Sequence, residues 1–484
     1  MQKIEQKSFY LRAGCWYLQQ HKYEQALQLY WQADQLEKFL QEVENQSHWI
    51  KNCLWQLPEI MPALVNVEWT KYPKSFLQIA FALLRLGKAD TRQMGYKILK
   101  QLEGWSEKSK KKIARLIQGD CILIQTFLGL YDDNDWNRHF YRAQEVFKGE
   151  HSLVLLPSVP ITFGMPMFLY LEYRQPGTLD KVVEEDTNCP LENMVPGFGH
   201  GMDKVIQAEA ALVRLQLEKA VNFANQALVA TRTKKQYFLE MCAVFTLLRK
   251  ALVTGDYIEA LEQLELIKSI AAIAMQGKDS SEQAVYRQVV EFSEAFLYIY
   301  LEQVEKIPEI YLTRNEENGH LMQGMGFYNL LRAKSAYLVG NVSIAVAECD
   351  LVLELSQQNV QHSQLIRLAA LILKSKAEKR LLNHEQALKL LITALKEAAQ
   401  DEIYLPFAEN AEEVLPLLEE VKKEKVLPAA YLQKLLDICR LQKNLEKNWH
   451  LPTGNTNLSQ RELQALKLAA GGLNQNQIAE EMQI

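Results

Sequence analysis

The sequence predicts an all-α chain, a superhelix of stacked helical hairpins, on three observations. Small residues return at a period near forty: Ala220, Ala260, Ala345 and Ala387 are separated by 40, 85 and 42 residues. Twelve residues before each lies a position expected on the preceding helix, Ala208, Leu248, Ala333 and Ser375. Turn residues fall between the two, Gly255 in one repeat, Gly340-Asn341 in another and Asn383-His384 in a third. A small residue on each of two antiparallel helices lets their backbones approach, and Gly or Asn in the turn allows the left-handed conformation that ends a helix. The step of 85 residues is two repeats, with Phe292 and Val304 filling the middle.

Composition narrows the function. The 484 residues are 48% hydrophobic and 23% charged, with a net charge of −5, so the chain as a whole is not a basic wrapper of nucleic acid. No apolar run reaches the roughly 18 residues of a membrane span. The opening Met1-Gln-Lys-Ile-Glu-Gln-Lys lacks the apolar core of a signal peptide. Seven cysteines, with no C-x-x-C pair, fit free thiols in a reducing compartment, and a cytoplasmic location is expected. The P-loop, H-E-x-x-H and G-x-S-x-G signatures are all missing, so neither catalysis nor a cofactor nor a metal is expected. Gly197-Phe-Gly199-His-Gly201 echoes a phosphate loop, but it follows no strand-like run.

Five regions follow along the chain. Residues 1–150 read as irregular helical repeats, with Gly14 and Ala26 in the same twelve-residue offset. Residues 151–203 break the rhythm, with six prolines and a run of aromatics. Here Phe163, Tyr170, Tyr173, Arg174 and His200 are the candidates for a ligand pocket, the competing reading being packing between repeats. Residues 204–440 carry the regular repeats. This pattern resembles tetratricopeptide-like repeats lengthened from about 34 to about 40 residues. The resemblance implies an inner groove able to take a small-molecule effector or a regulatory protein.

Residues 441–457 read as a linker, and 458–484 carry the functional signal. Ser459 followed by Glu462 is a capping box, Gly471-Gly472 stop the helix, and Asn474 with Gln477 opens a second. Two short helices joined by a tight turn are the front of a helix-turn-helix.

The tail resembles the LuxR-type helix-turn-helix. Leu458-Ser459-x-Arg461-Glu462, then Ala470-Gly471-Gly472-Leu473, then Ile478-Ala479-Glu480-Glu481-Met482 follow that family's order. Tyr404-Leu-Pro-Phe407 and the loop from Thr162 to Gly177 are similar to parts of large regulators of the maltose-activator class. The resemblance implies a transcriptional regulator, with Ser459, Arg461, Glu462, Gly472, Leu473, Asn474, Ile478 and Ala479 in a partial DNA-binding module. Two departures qualify it. The ATPase module of that class is missing, and the sequence stops at Ile484, before the recognition helix that enters the major groove. The tail sets Arg461 and Lys467 against Glu462, Glu480 and Glu481, poor footing on phosphates. The expectation is a truncated regulator in which DNA, the partner of an intact parent, binds weakly or not at all, with self-association as a further possibility. The alternative is a protein-interaction scaffold without DNA binding.

Overall fold

A computed structural model describes residues 2–46, 57–64, 66–85, 89–130, 136–157, 159–187, 189–278, 280–313, 324–356, 362–424 and 426–449, with Ala479 and Met482. The fold is an all-α helical-repeat superhelix. Among the described residues there are twenty-three α-helices and no strand. Helices α1 (Gln2–Gln19) and α2 (Tyr23–Gln32) form the first hairpin, followed by α3 (Leu36–Val43) and α4 (Leu57–Leu64). Next come α5 (Pro73–Arg85), α6 (Ala89–Lys108), α7 (Lys112–Phe127) and α8 (Trp136–Phe147), each packed on its neighbour. The proline-rich stretch contributes only the short α9 (Leu169–Glu172), α10 (Leu179–Thr187) and α11 (Leu191–Met194).

The regular hairpins pair α12 (Met202–Val213) with α13 (Leu217–Thr233), and α14 (Tyr237–Thr254) with α15 (Tyr257–Met275). After the long α16 (Ser280–Tyr300), α17 (Met325–Leu338) pairs with α18 (Val342–Leu355), and α19 (Gln364–Arg380) with α20 (His384–Ala398). The chain ends in α21 (Leu405–Ala408), α22 (Ala411–Glu424) and α23 (Ala429–Trp449). Residues 441–449 of the expected linker are thus the last turns of a helix. The first helices of successive hairpins also touch, α12 on α14 and α17 on α19, which is how a stack buries a continuous core. That core runs unbroken from Leu18 to Cys439.

Six hairpins share one turn. His21, Leu215, Gly255, Glu302, Gly340 and Leu382 all take a left-handed backbone. The amide after each donates to the carbonyl five residues back, as in Asp256 to Ala251 at 2.9 Å and Asn383 to Glu378 at 2.9 Å. This is the 6→1 bond that satisfies a helix's last carbonyls. Gly255 and Gly340 hold the left-handed site as the sequence suggests. In the third turn the site falls on Leu382, and Asn383 instead starts α20. Its side chain donates to Glu378 Oε2 at 2.7 Å.

The turn also sets the register. The small positions Ala208, Ala333 and Ser375 lie seven residues before the left-handed residue, and Ala220, Ala345 and Ala387 five after it, all buried. Ser375 Oγ donates directly to Ala387 O at 2.7 Å. In the middle repeat the same offsets select Ala295 and Ile307, both buried, three residues beyond the expected Phe292 and Val304. The reason is structural. The second helix of that hairpin is replaced by two short 3-10 turns, Val304–Lys306 and Glu309–Tyr311, so no helical periodicity marks the register.

Candidate functional site on the inner face

The proline- and aromatic-rich segment lies across the first helices of the hairpins. All ten residues from Ile161 to Tyr170 are buried. Phe163 takes a left-handed backbone, as does Gly164 after it. A Cβ on Gly164 would meet Gln288 of α16 at 2.6 Å. Met165 O faces Cys242 Sγ of α14 at 3.9 Å. Its side chain reaches the start of α17, where a Cβ on Gly324 would meet Met165 Cε at 2.4 Å. Proline and glycine keep this stretch from forming a helix, so its backbone amides need partners from elsewhere.

Buried carboxylates from three distant parts of the chain supply them. Asp120 of α7 accepts from Leu153 N at 2.7 Å and from Ser152 Oγ. Glu209 of α12 accepts from Phe168 N at 2.9 Å and from Leu169 N at 2.7 Å. Asp401, after α20, accepts from Tyr173 Oη at 2.6 Å, from Leu179 N at 3.0 Å and from Gly177 N. Burial pushes the Asp120 carboxyl up to about 7, against its hydrogen bonds to Ser152 and Leu153. Burial likewise raises Glu209 to about 7, against the Phe168 and Leu169 amides and the nearby Arg249 charge. Gln364 N, at the start of α19, donates to Tyr173 O at 3.0 Å and closes the path.

Four of the five sequence-selected pocket residues sit in this packed interior. Phe163 is buried against Phe127, with ring centroids 5.0 Å apart. Tyr170 is buried and donates to Thr162 O at 3.0 Å. Tyr173 is buried on Asp401. Arg174 is buried and donates through Nε to Leu171 O at 3.0 Å. Its guanidinium tip lies against Gly129, where a Cβ would meet Nη2 at 2.8 Å. Burial lowers Arg174 to about 10, opposed by the Glu172 charge.

His200 lies apart, between two left-handed glycines on a shallow cleft of about 320 Å³ that Phe198 and Asp203 also line. Its Nδ1 is 3.2 Å from Glu192 Oε2. Of the tail residues, Ser459, Arg461, Glu462, Gly472, Leu473, Asn474 and Ile478 lie outside the described residues, and Ala479 is helical.

No protein-family model matches the chain, and no curated protein is significantly similar to it. The site therefore rests on its own geometry.

That geometry contains a set of residues the sequence reading missed. The residue six before each left-handed turn residue forms a ladder of neighbours: Glu209, Arg249, Phe296, Lys334 and Lys376. All but the half-buried Lys334 are buried. Arg249 joins both segments that cross this face. Its Nη1 lies 3.3 Å from Met167 Sδ, and its Nη2 lies 2.7 Å from Glu409 Oε1 after α21. The signal is a fixed position next to the repeating first-helix position, but a period alone does not say which flank faces inward.

Proposed function

We propose that the chain is the sensing part of a LuxR-type transcriptional regulator, acting in the cytoplasm without catalysis. The sensing half is supported by the inner segment, which ties α7, α12 and α19 together through its separate contacts with Asp120, Glu209, Gln364 and Asp401. An effector or regulatory protein that binds one arrangement of this segment better than another shifts the population of superhelix conformations. The output half is supported by the motif order from Leu458 to Met482, with DNA as the partner of a protein that carries the recognition helix. Among the described residues, no helix is long and apolar enough to cross a membrane.

The test is selection of genomic DNA fragments on two proteins, the 484-residue chain and the same chain continued through a complete recognition helix. Specific enrichment by the extended protein alone supports the reading. Enrichment by neither contradicts it.

One observation favours the scaffold alternative. Where the middle repeat lacks its second helix, an outer cleft of about 650 Å³ opens between Leu312 and α18. Ile344 stands 50% exposed there, with Leu351 below it on the same helix face. A partner bound at this cleft would be lost on Ile344→Asp, with any DNA binding unchanged.

A further inference from the structure

The ladder on the inner face is unbalanced in charge. Arg249 and Lys334 share one aromatic ring, each 5.2 Å from the Phe296 centroid. One turn along α17 from Lys334, Tyr337 carries two more cations, Lys376 Nζ at 4.9 Å and the Arg380 guanidinium at 3.8 Å from its centroid. Against these four cations stand three carboxylates. Glu409 is held by Arg249 at 2.7 Å. Glu413 is shared by Arg380 at 2.9 Å, Lys376 and the Tyr337 hydroxyl. Lys376 also donates to Asn410 Oδ1 at 2.9 Å. Glu209, at the end of the ladder, has both oxygens engaged by the Phe168 and Leu169 amides.

Lys334 thus has a ring beside it but no carboxylate in contact. Burial pulls its ammonium down to about 8; the Glu409 charge opposes this, and Arg249 and Lys376 reinforce it. A cation held in such a place is costly unless an anion joins it. Lys334 as a whole residue is half-buried, and at the far end of the group the Arg380 side chain is 47% exposed.

We propose that Lys334, with Arg249, Lys376 and Arg380 around it, seats the anionic group of a small metabolite, a carboxylate or a phosphate, between the Phe296 and Tyr337 rings. The proposal names the ligand class for the sensing role above and rests on that reading only there. Anion binding itself is measured without DNA, so its failure and the failure of DNA selection are separate results.

The experiment is thermal unfolding and calorimetric titration of the whole chain with inorganic phosphate and with succinate, against chloride at matched ionic strength. Saturable stabilisation by phosphate alone assigns a phosphate ligand, and by succinate alone or by both a carboxylate or a general anion seat. Lys334→Met keeps the aliphatic stem. It should leave the anion-free Tm unchanged or higher and weaken binding by about tenfold or more. Lys334→Arg should keep binding within a few-fold. Responses to phosphate and succinate no larger than to chloride overturn the proposal. So does full binding by Lys334→Met, or a lower anion-free Tm, which would mean the ammonium is already satisfied.

Discussion

Tyr173 donates its hydroxyl to Asp401 at 2.6 Å across 228 residues of chain. The same carboxylate takes the amides of Gly177 and Leu179, so one side chain after α20 fixes the end of the inner segment and the start of α10. Tyr173→Phe removes one donor and leaves Asp401 two others, a loss of about 1 kcal/mol. Asp401→Ala strands three donors and should cost roughly 3 kcal/mol. Urea unfolding of both variants checks the order. Equal and negligible losses would mean that the segment is not held by this contact.

The other two anchors predict a pH dependence. Asp120 and Glu209 are raised to about 7 by burial, above the range near 4 of an unfolded carboxyl. Each binds its proton more tightly folded than unfolded. The stability they confer is therefore full below about pH 4 and is lost as pH rises through about 7. Glu413 has the opposite sign: its carboxyl lies below the usual range because Lys376, Tyr337 and Arg380 outweigh its burial. Its contribution is lost only on stronger acidification. Between pH 5 and pH 7.5 the wild type should lose Tm, and Asp120→Asn combined with Glu209→Gln should lose less. An unchanged pH slope in the double variant would contradict the assignment.

The shared turn predicts opposite effects at two equivalent sites. Leu382 is 89% exposed with φ of 64°, a conformation that costs an L-residue about 1 kcal/mol. Leu382→Gly should stabilise by a few tenths to about 1 kcal/mol, the entropy of glycine offsetting part of the gain. Gly340→Leu, at φ of 87° in the next hairpin back, should destabilise by about 1 kcal/mol. Differential scanning calorimetry reads both, and equal signs would contradict a common turn.

The corrected register predicts where the middle repeat is tight. Ala295 is fully buried at the small first-helix position of α16, so Ala295→Leu overpacks the stack by about 1–3 kcal/mol. Val304 is only half-buried in its 3-10 turn, and Val304→Ala should cost well under that. Equal costs in chemical denaturation would favour the register read from the sequence.

The repeats were legible because backbone proximity forces small residues, and Ala208, Ala220, Ala333, Ala345 and Ala387 carry that constraint openly. Where the second helix is missing, the constraint falls on Ile307, a large residue, and the pattern slips. The inner segment was visible as prolines and aromatics, and either a pocket wall or packing fitted that composition. What decides its place is Asp401, Glu209 and Asp120, three carboxylates spread over 281 residues, which no local pattern connects. The cation ladder was also written in the sequence, one residue after the repeating position of each first helix. It became readable only once Phe296 and Tyr337 were seen as shared rings.

The central claim is that residues 161–179 are packed across the first helices of the hairpins and held there by buried carboxylates. Hydrogen exchange of the Phe168, Leu169, Gly177 and Leu179 amides tests it most directly. The account predicts protection equal to that of interior amides in α12 and α14. Exchange at the rate of an open loop, with α12 and α14 still protected, would contradict it.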